Sequence, residues 1–246
     1  MNVIKLGGSL LDDRRRRDGA LLTIAAAWRS GERIVLVHGG GKHVDAQLAR
    51  LGIPKRMHAG LRITDDATLP VVVAVLAGTV NKMLVSELAA IGIPAAGISG
   101  ADAGTLTATR HEPIDGVDLG HVGRISNASG ALVHAMLDRG IMPVISSVAQ
   151  GPAGSLLNVN ADTAAAAIAV ALGAESLQFI TDVAGLLDAA GNVVPRLTAV
   201  DAQALIEKGL VSGGMRPKLL AALDALHSGV RSIAIGEAGG THVVAA

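Results

Sequence analysis

Short apolar runs alternate with longer stretches of helical periodicity along this chain. The runs at residues 3–6, 34–38, 93–99, 141–146, 176–181, 232–235 and 242–244 predict strands, most of them buried. Between them, residues 19–29, 42–51, 65–91, 131–139, 163–172, 200–208 and 218–227 carry apolar residues at helical spacing and predict helices. Pro70 lies in the opening turns of the 65–91 pattern, so that helix starts late or bends. Residues 105–110 and 121–126 alternate like a hairpin, joined by a polar loop holding Asp115 and Asp118. Strands alternating with helices predict an α/β fold around a mainly parallel sheet. A boundary near Gly173-Ala174 divides the chain into residues 1–173 and 174–246, although no linker composition marks it.

One stretch breaks the simple pattern. Asn158, Asn160 and Asp162 alternate with Val159 and Ala161. In extended backbone this spacing points all three side chains the same way. The alanine-rich run 163–172 follows, with the composition of a buried helix. Two amides and a carboxylate thus converge where a helix begins, and a helix start suits a bound anion. A helix cap accounts for Asp162 alone, but not for the two amides before it.

Composition narrows the function classes. Half of the 246 residues are hydrophobic, the formal net charge is zero, and the aromatics are Trp28 and Phe179. Without stacking platforms or a basic face, a nucleic-acid partner is not expected. The absence of cysteine excludes disulfides, thiolate metal sites and a cysteine nucleophile. The glycine-broken start does not read as a signal peptide, and no uninterrupted apolar stretch of about 20 residues suggests a membrane span. A soluble, cytoplasmic protein is expected. The run Arg14–Arg17 reads as a solvated helix start.

Two predicted strands end in glycine clusters, Gly7-Gly8 and Gly39-Gly40-Gly41. In parallel α/β sheets ligands sit beyond the carboxyl ends of the strands. Glycine there lets the backbone approach a phosphate, and the next helix start supplies N–H donors. Neither cluster has the spacing of a dinucleotide fingerprint or a P-loop. Lys5 is a charge inside an apolar strand, and if buried it needs an anionic partner. Arg62, in Gly60-Leu61-Arg62-Ile63-Thr64, suits a bidentate grip on a carboxylate, although a surface-loop role is equally compatible. Lys218 follows Gly213-Gly214-Met215-Arg216-Pro217 and opens a helix, an unfavourable place for a cation unless it faces an anion.

These pieces together resemble the amino acid kinase family, and within it the kinases of N-acetyl-L-glutamate. The resemblance rests on Lys5–Gly8, His38–Gly41, Gly60–Thr64, Leu76–Lys82, Asp118–Gly123, Asn158–Asp162, Thr181–Leu187 and Gly213–Lys218, in family order. It implies a three-layer sandwich of the carbamate kinase-like type, with an amino-acid lobe first and an ATP lobe from about residue 174. It implies phosphoryl transfer from ATP to a side-chain carboxylate, giving an acyl phosphate for arginine synthesis. Lys5 and Lys218 would flank the transferred phosphoryl, Asp162 would hold both lysines, and Gly8, Gly40 and Gly41 would present backbone N–H groups. Arg62 and Asn158 would bind the amino acid, with Asn160 beside them. Thr181, Asp182, Val183, Gly185, Leu186, Leu187, Leu210, Gly213, Gly214, Met215 and Lys218 would line the nucleotide. Mg²⁺ would arrive on ATP, with no dedicated protein ligand. The start of the sequence leaves no room for the extra N-terminal helix of arginine-inhibited relatives, so a homodimer joined through residues 71–91 and free of arginine feedback is expected.

Two other readings stay open. A sister kinase acting on N-acetyl-aminoadipate or N-succinyl-glutamate would use the same machinery, because one methylene changes discrimination by only about 1–3 kcal/mol. A non-catalytic nucleotide or amino-acid sensor could use the same fold, although such a sensor has no use for Lys5, Asp162 and Lys218 together.

Overall fold

Runs rich in Val, Ile and Leu form the strands of one large sheet, and the periodic segments between them cover it. The computed structural model describes residues 1–181, 183–188, 190–211, 213–236 and 240–245. The strands are β1 (Asn2–Leu6), β2 (Ile34–His38), β3 (Met57–His58), β4 (Leu61–Arg62), β5 (Ala95–Ser99), β6 (Leu106–Arg110) and β7 (Gly123–Ala128). They continue with β8 (Met142–Ser146), β9 (Val148–Gln150), β10 (Leu156–Asn158), β11 (Ser176–Ile180), β12 (Arg196–Thr198), β13 (Ser232–Ile235) and β14 (Thr241–Val244). The helices are α1 (Gly8–Asp12), α2 (Arg14–Arg29), α3 (Gly41–Arg50), α4 (Thr68–Val73), α5 (Asn81–Ala90), α6 (Ala131–Asp138), α7 (Ala161–Ala171), α8 (Ala199–Glu207) and α9 (Met215–His227). A π-helical segment, Ala74–Val80, joins α4 to α5.

Among the described residues the large sheet has eight strands in the order β12-β14-β13-β11-β1-β2-β8-β5. Neighbours are parallel except for β13 and β14. The sheet runs without a break through the expected boundary near residue 173, because β1 pairs with β2 on one side and β11 on the other. Side-chain alternation along β1 shows how the layers are filled. Val3 joins a core that contains the buried residues of α7, α8 and α9, whereas Ile4 and Leu6 join a second core beneath α1 to α5. This is the α/β three-layer sandwich expected from the sequence. Phe179 of β11, the only phenylalanine, is fully buried in the first core, where its burial contributes about 3 kcal/mol.

Lys5 shares its strand face with Val3, so the pleat aims it at α7. That helix is buried through Ala164, Ala165, Ala166 and Ala169. Side chains this small let α7 approach β1 and pack beside α9.

Several expectations need correction. The period-two reading of residues 158–162 assumed extended backbone throughout, but β10 ends at Asn158 and α7 begins at Ala161. Asn160 caps α7, accepting the N–H groups of Asp162 at 2.8 Å and Thr163 at 3.1 Å. Arg17 is not solvated. It is buried, pairs with Glu87 at 2.7 Å and donates to the Leu11 carbonyl at the end of α1. The hydrogen bonds that Arg17 donates to Glu87 raise the guanidinium pKa further above its ordinary value. The long helix, by contrast, starts late as expected, at Thr68, placing Pro70 in its first turn, where a missing N–H costs nothing. Lys218 sits inside the first turn of α9, which opens at Met215. Finally, Thr68–Ala90 is long and apolar enough to cross a membrane by length and composition. Val71, Val72, Val75, Leu76, Val80, Leu84 and Leu88 of this helix are buried in the second core, as in the core helix of a globular domain.

Candidate active site

The carboxyl ends of β1, β2, β8 and β11 lie side by side where the strand order reverses around β1. Open parallel sheets bind ligands in this crevice. A cleft of about 390 Å³ opens here. Its lining brings together Lys5, Gly8, Gly40, Gly41, Arg62, Asn158 and Asn160 from separate parts of the sequence.

Asp162, in the first turn of α7, is buried and receives both lysines. Lys5 Nζ lies 2.7 Å from its Oδ1 and Lys218 Nζ lies 3.4 Å from its Oδ2. Lys218 also donates to the Gly214 carbonyl at 3.1 Å, one helical turn earlier. Burial strengthens each of these interactions relative to water. Two ammonium groups meeting at one carboxylate favour a further anion beside them. The two glycine clusters are adjacent, since a Cβ on Gly8 would lie 3.7 Å from the Gly41 nitrogen.

Across the cleft, three stretches are zipped together. Thr64 donates its backbone N–H to Leu119 O at 3.0 Å and accepts that of His121 at 2.6 Å. Asn158 donates its backbone N–H to His121 O at 2.9 Å and its side-chain amide to Thr64 Oγ1 at 3.0 Å. This places Arg62 on the cleft wall. Its side chain is 10 % exposed, pairs with Asp45 and donates to Gly41 O at 3.1 Å. Burial alone would raise the Asp45 pKa, but hydrogen bonds from Lys55 and Arg62 outweigh it and hold the carboxyl below its ordinary value. A guanidinium held this way presents a fixed donor to an incoming carboxylate.

The stretches expected to line the nucleotide follow β11 and precede α9. Thr181 is buried at the end of β11. Val183, Leu187 and Leu210 are exposed. Gly185 and Leu186 are held against β14 instead: Thr241 Oγ1 accepts the Leu186 N–H at 2.8 Å, and Leu186 joins the first core. Gly213 takes a positive φ, Gly214 caps α9, and Met215 begins it next to the first core. Asp182 lies outside the described residues.

Residues 1–237 match the amino acid kinase family. The chain belongs to the amino acid kinase family. It is 45 % identical over 241 residues to an acetylglutamate kinase of Methanopyrus kandleri, covering 96 % of this chain and 94 % of that protein. It is 43 % identical over 233 residues to an acetylglutamate kinase of Solibacter usitatus, covering 95 % and 89 %. Among solved structures, the smu.665 protein of Streptococcus mutans superposes with a TM-score of 0.89 at 28 % identity, covering 99 % of this chain and 98 % of that one.

In this amino acid kinase, four residues in or beneath the cleft give no sign of their place in the sequence. Asp45 was hidden because a carboxylate in the middle of a helix reads as solvated surface. Ser147 lines the cleft one residue beyond β8. His38 and Asn81 stand inside longer motifs that do not signal burial, yet both are fully buried beneath the glycine turn. Among the described residues, no group of three or more His, Cys, Asp or Glu is arranged to hold a metal ion.

Proposed function

We propose that this protein is an ATP-dependent kinase that phosphorylates the side-chain carboxylate of N-acetyl-L-glutamate, yielding N-acetyl-glutamyl 5-phosphate for arginine synthesis. The observation that carries this reading is the meeting of Lys5 and Lys218 at Asp162 beside two glycine-lined turns. Full-length likeness to acetylglutamate kinases supports the choice of substrate.

The chemistry needs little more. A carboxylate oxygen of the acceptor attacks the γ-phosphorus of ATP, the bond to the β–γ bridging oxygen breaks, and ADP leaves. The acceptor is already an anion, so no general base is needed. Catalysis is then positioning and charge stabilisation. Lys5 and Lys218 neutralise charge on the transferring group, and Asp162 fixes both ammonium positions. N–H groups at Gly8, Gly40 and Gly41 face the moving oxygens. Arg62 grips the α-carboxylate, Asn158 orients the acylated amino acid, and Asn160 supports the wall by capping α7. Thr181, Val183 and Leu187 on one side, with Leu210, Gly213, Gly214 and Met215 on the other, accommodate the nucleotide, and exposed aliphatic side chains replace an aromatic platform for adenine. Mg²⁺ carried by the ATP phosphates would supply further charge neutralisation. Because Asp162 is already engaged by two lysines, the metal belongs to the nucleotide.

The enzyme is assigned to the cytoplasm as a homodimer. Val73, Ala74, Ala77 and Gly78 leave small side chains at the surface of the long helix, a face suited to close packing against a second copy. Light scattering should give twice the chain mass, and a hexamer would reject the assignment.

The function is tested by a hydroxamate assay for acyl phosphate with Mg-ATP and three acceptors: N-acetyl-L-glutamate, N-acetyl-aminoadipate and N-succinyl-glutamate. The highest kcat/KM is expected for N-acetyl-L-glutamate. A preference for either other acid moves the enzyme to that substrate, and no hydroxamate from any of them rejects the kinase reading.

A further inference from the structure

Beneath the glycine turn lies a buried polar unit that the mechanism above does not use. His38, the last residue of β2, and Asn81, the first residue of α5, are both fully buried. Asn81 Nδ2 lies 2.9 Å from Val144 O of β8, 3.2 Å from Ile98 O of β5 and 3.1 Å from His38 Nε2. Its Oδ1 accepts from Lys82 Nζ at 3.0 Å, and Lys82 also donates to Gly97 O at 2.8 Å. This single amide therefore ties the π-to-α junction of the long helix to three adjacent strands.

The orientation of the amide follows from its neighbours. Turned over, its oxygen would face two carbonyl oxygens and its nitrogen would face an ammonium group. The nitrogen therefore points at the strands, and His38 Nε2 must accept. That places the imidazole proton on Nδ1, which lies 2.8 Å from Gly39 O and donates to it. Burial lowers the His38 pKa to about 4, so the ring stays neutral, as this arrangement requires.

The consequence lies one atom further on. The Gly39 carbonyl and the Gly40 N–H belong to the same peptide plane and point in opposite directions. A ring that holds the carbonyl therefore also sets the aim of that N–H. The π-helical segment presses on the other side of the turn: a Cβ on Gly40 would lie 2.9 Å from Leu76 Cδ2 and 3.2 Å from Val80 Cγ2. Gly97 leaves the notch that Asn81 fills, since a Cβ there would lie 1.7 Å from Asn81 Oδ1.

We propose that Asn81 and His38 are positioning residues that fix the direction of the Gly40 N–H toward the transferring phosphoryl group. This rests on the kinase reading of the cleft. Asn81 sets the tautomer, His38 holds the Gly39–Gly40 peptide, and neither touches substrate.

Three variants and one spectrum test it. With Mg-ATP and N-acetyl-L-glutamate, Asn81→Ala and His38→Leu should each lower kcat about 10- to 100-fold, the size of effect that small misplacements cause, with KM for ATP within about twofold. His38→Asn, whose amide N–H still reaches the Gly39 carbonyl, should keep at least about a third of wild-type kcat if that bond is what matters. Nitrogen-15 NMR of the wild-type protein at pH 7 should show His38 as the Nδ1–H tautomer. Wild-type turnover in Asn81→Ala or His38→Leu, equal losses in His38→Leu and His38→Asn, or an Nε2–H tautomer would each overturn the inference. The spectrum needs neither turnover nor a folded variant. A wild-type protein that forms no acyl phosphate would reject the kinase reading instead, and that result is separate from the tautomer.

Discussion

On the side of the cleft proposed to take the amino acid, Arg62 is bonded to Asp45 and Gly41, Asn158 to Thr64, and, beneath the turn, His38 to Asn81. On the stretches assigned to the nucleotide, Val183, Leu187 and Leu210 stand 39 %, 53 % and 68 % exposed. The first side is finished before any ligand arrives, because charges and amides act strongly only when desolvated and fixed. The second side presents aliphatic surface for a ligand to cover, and aliphatic contact tolerates small shifts. On the proposed assignment, discrimination among acceptors would fall to the bonded side and holding the common donor ATP to the open one.

The sharpest way to break this contrast is at the shared carboxylate. Lys5→Ala or Lys218→Ala should lower kcat by about 100-fold or more, as when other transition-state donors are lost. Near-normal turnover by either variant, measured under saturating substrates, would remove the lysine pair from the mechanism. Next, Arg62→Ala should raise KM for N-acetyl-L-glutamate by about 10- to 100-fold, the range for one charged hydrogen-bonding group, and leave KM for ATP nearly unchanged. A rise confined to ATP would exchange the two sides. A third measurement follows stability with pH. The folded pKa of His38, about 4, lies below the unfolded value of about 6.5. The unfolded chain therefore binds more protons between those values, so this contribution is complete above about pH 6.5 and is lost as pH falls toward 4. It amounts to about 3 kcal/mol. Urea unfolding at pH 7 and 4.5 should show a larger loss for wild type than for His38→Asn, and equal losses would place His38 in a wetter site. The smallest effect is on the open side. Leu210→Ser should raise KM for ATP about two- to fivefold, as for loss of part of an aliphatic contact, with kcat unchanged. A large fall in kcat would show that this side is not merely a covering surface.

Much of the scaffold was legible in the sequence. Residues 34–38 and 232–235 are strands with the bounds the apolar runs predict, because buried parallel strands read as continuous apolar runs. The short strands β9, β10 and β12 were missed, as three apolar or mixed residues among Gly, Pro and polar neighbours carry no period. The π-helical segment Ala74–Val80 has the composition of an α-helix, so nothing in the sequence separates the two. Arg17 was misjudged because Glu87, the partner that makes its burial tolerable, lies 70 residues away. For the site, Lys5 was conspicuous as a charge in an apolar strand. Its meeting with Asp162 and Lys218 depended on the sheet order and the alanine face of α7, and neither is written locally. Asn160 was misread, because the cap role was given to Asp162 alone, whereas Asn160 itself accepts the N–H groups of Asp162 and Thr163.

Lys5 stands on the central strand of the sheet, and Lys218 reaches it from a helix near the other end of the chain. During synthesis β1 is made before β11, so it cannot be flanked on both sides until β11 follows, and the second ammonium group comes later still. A truncated product ending before α9 would lack Lys218 and leave Asp162 with one of its two ammonium partners.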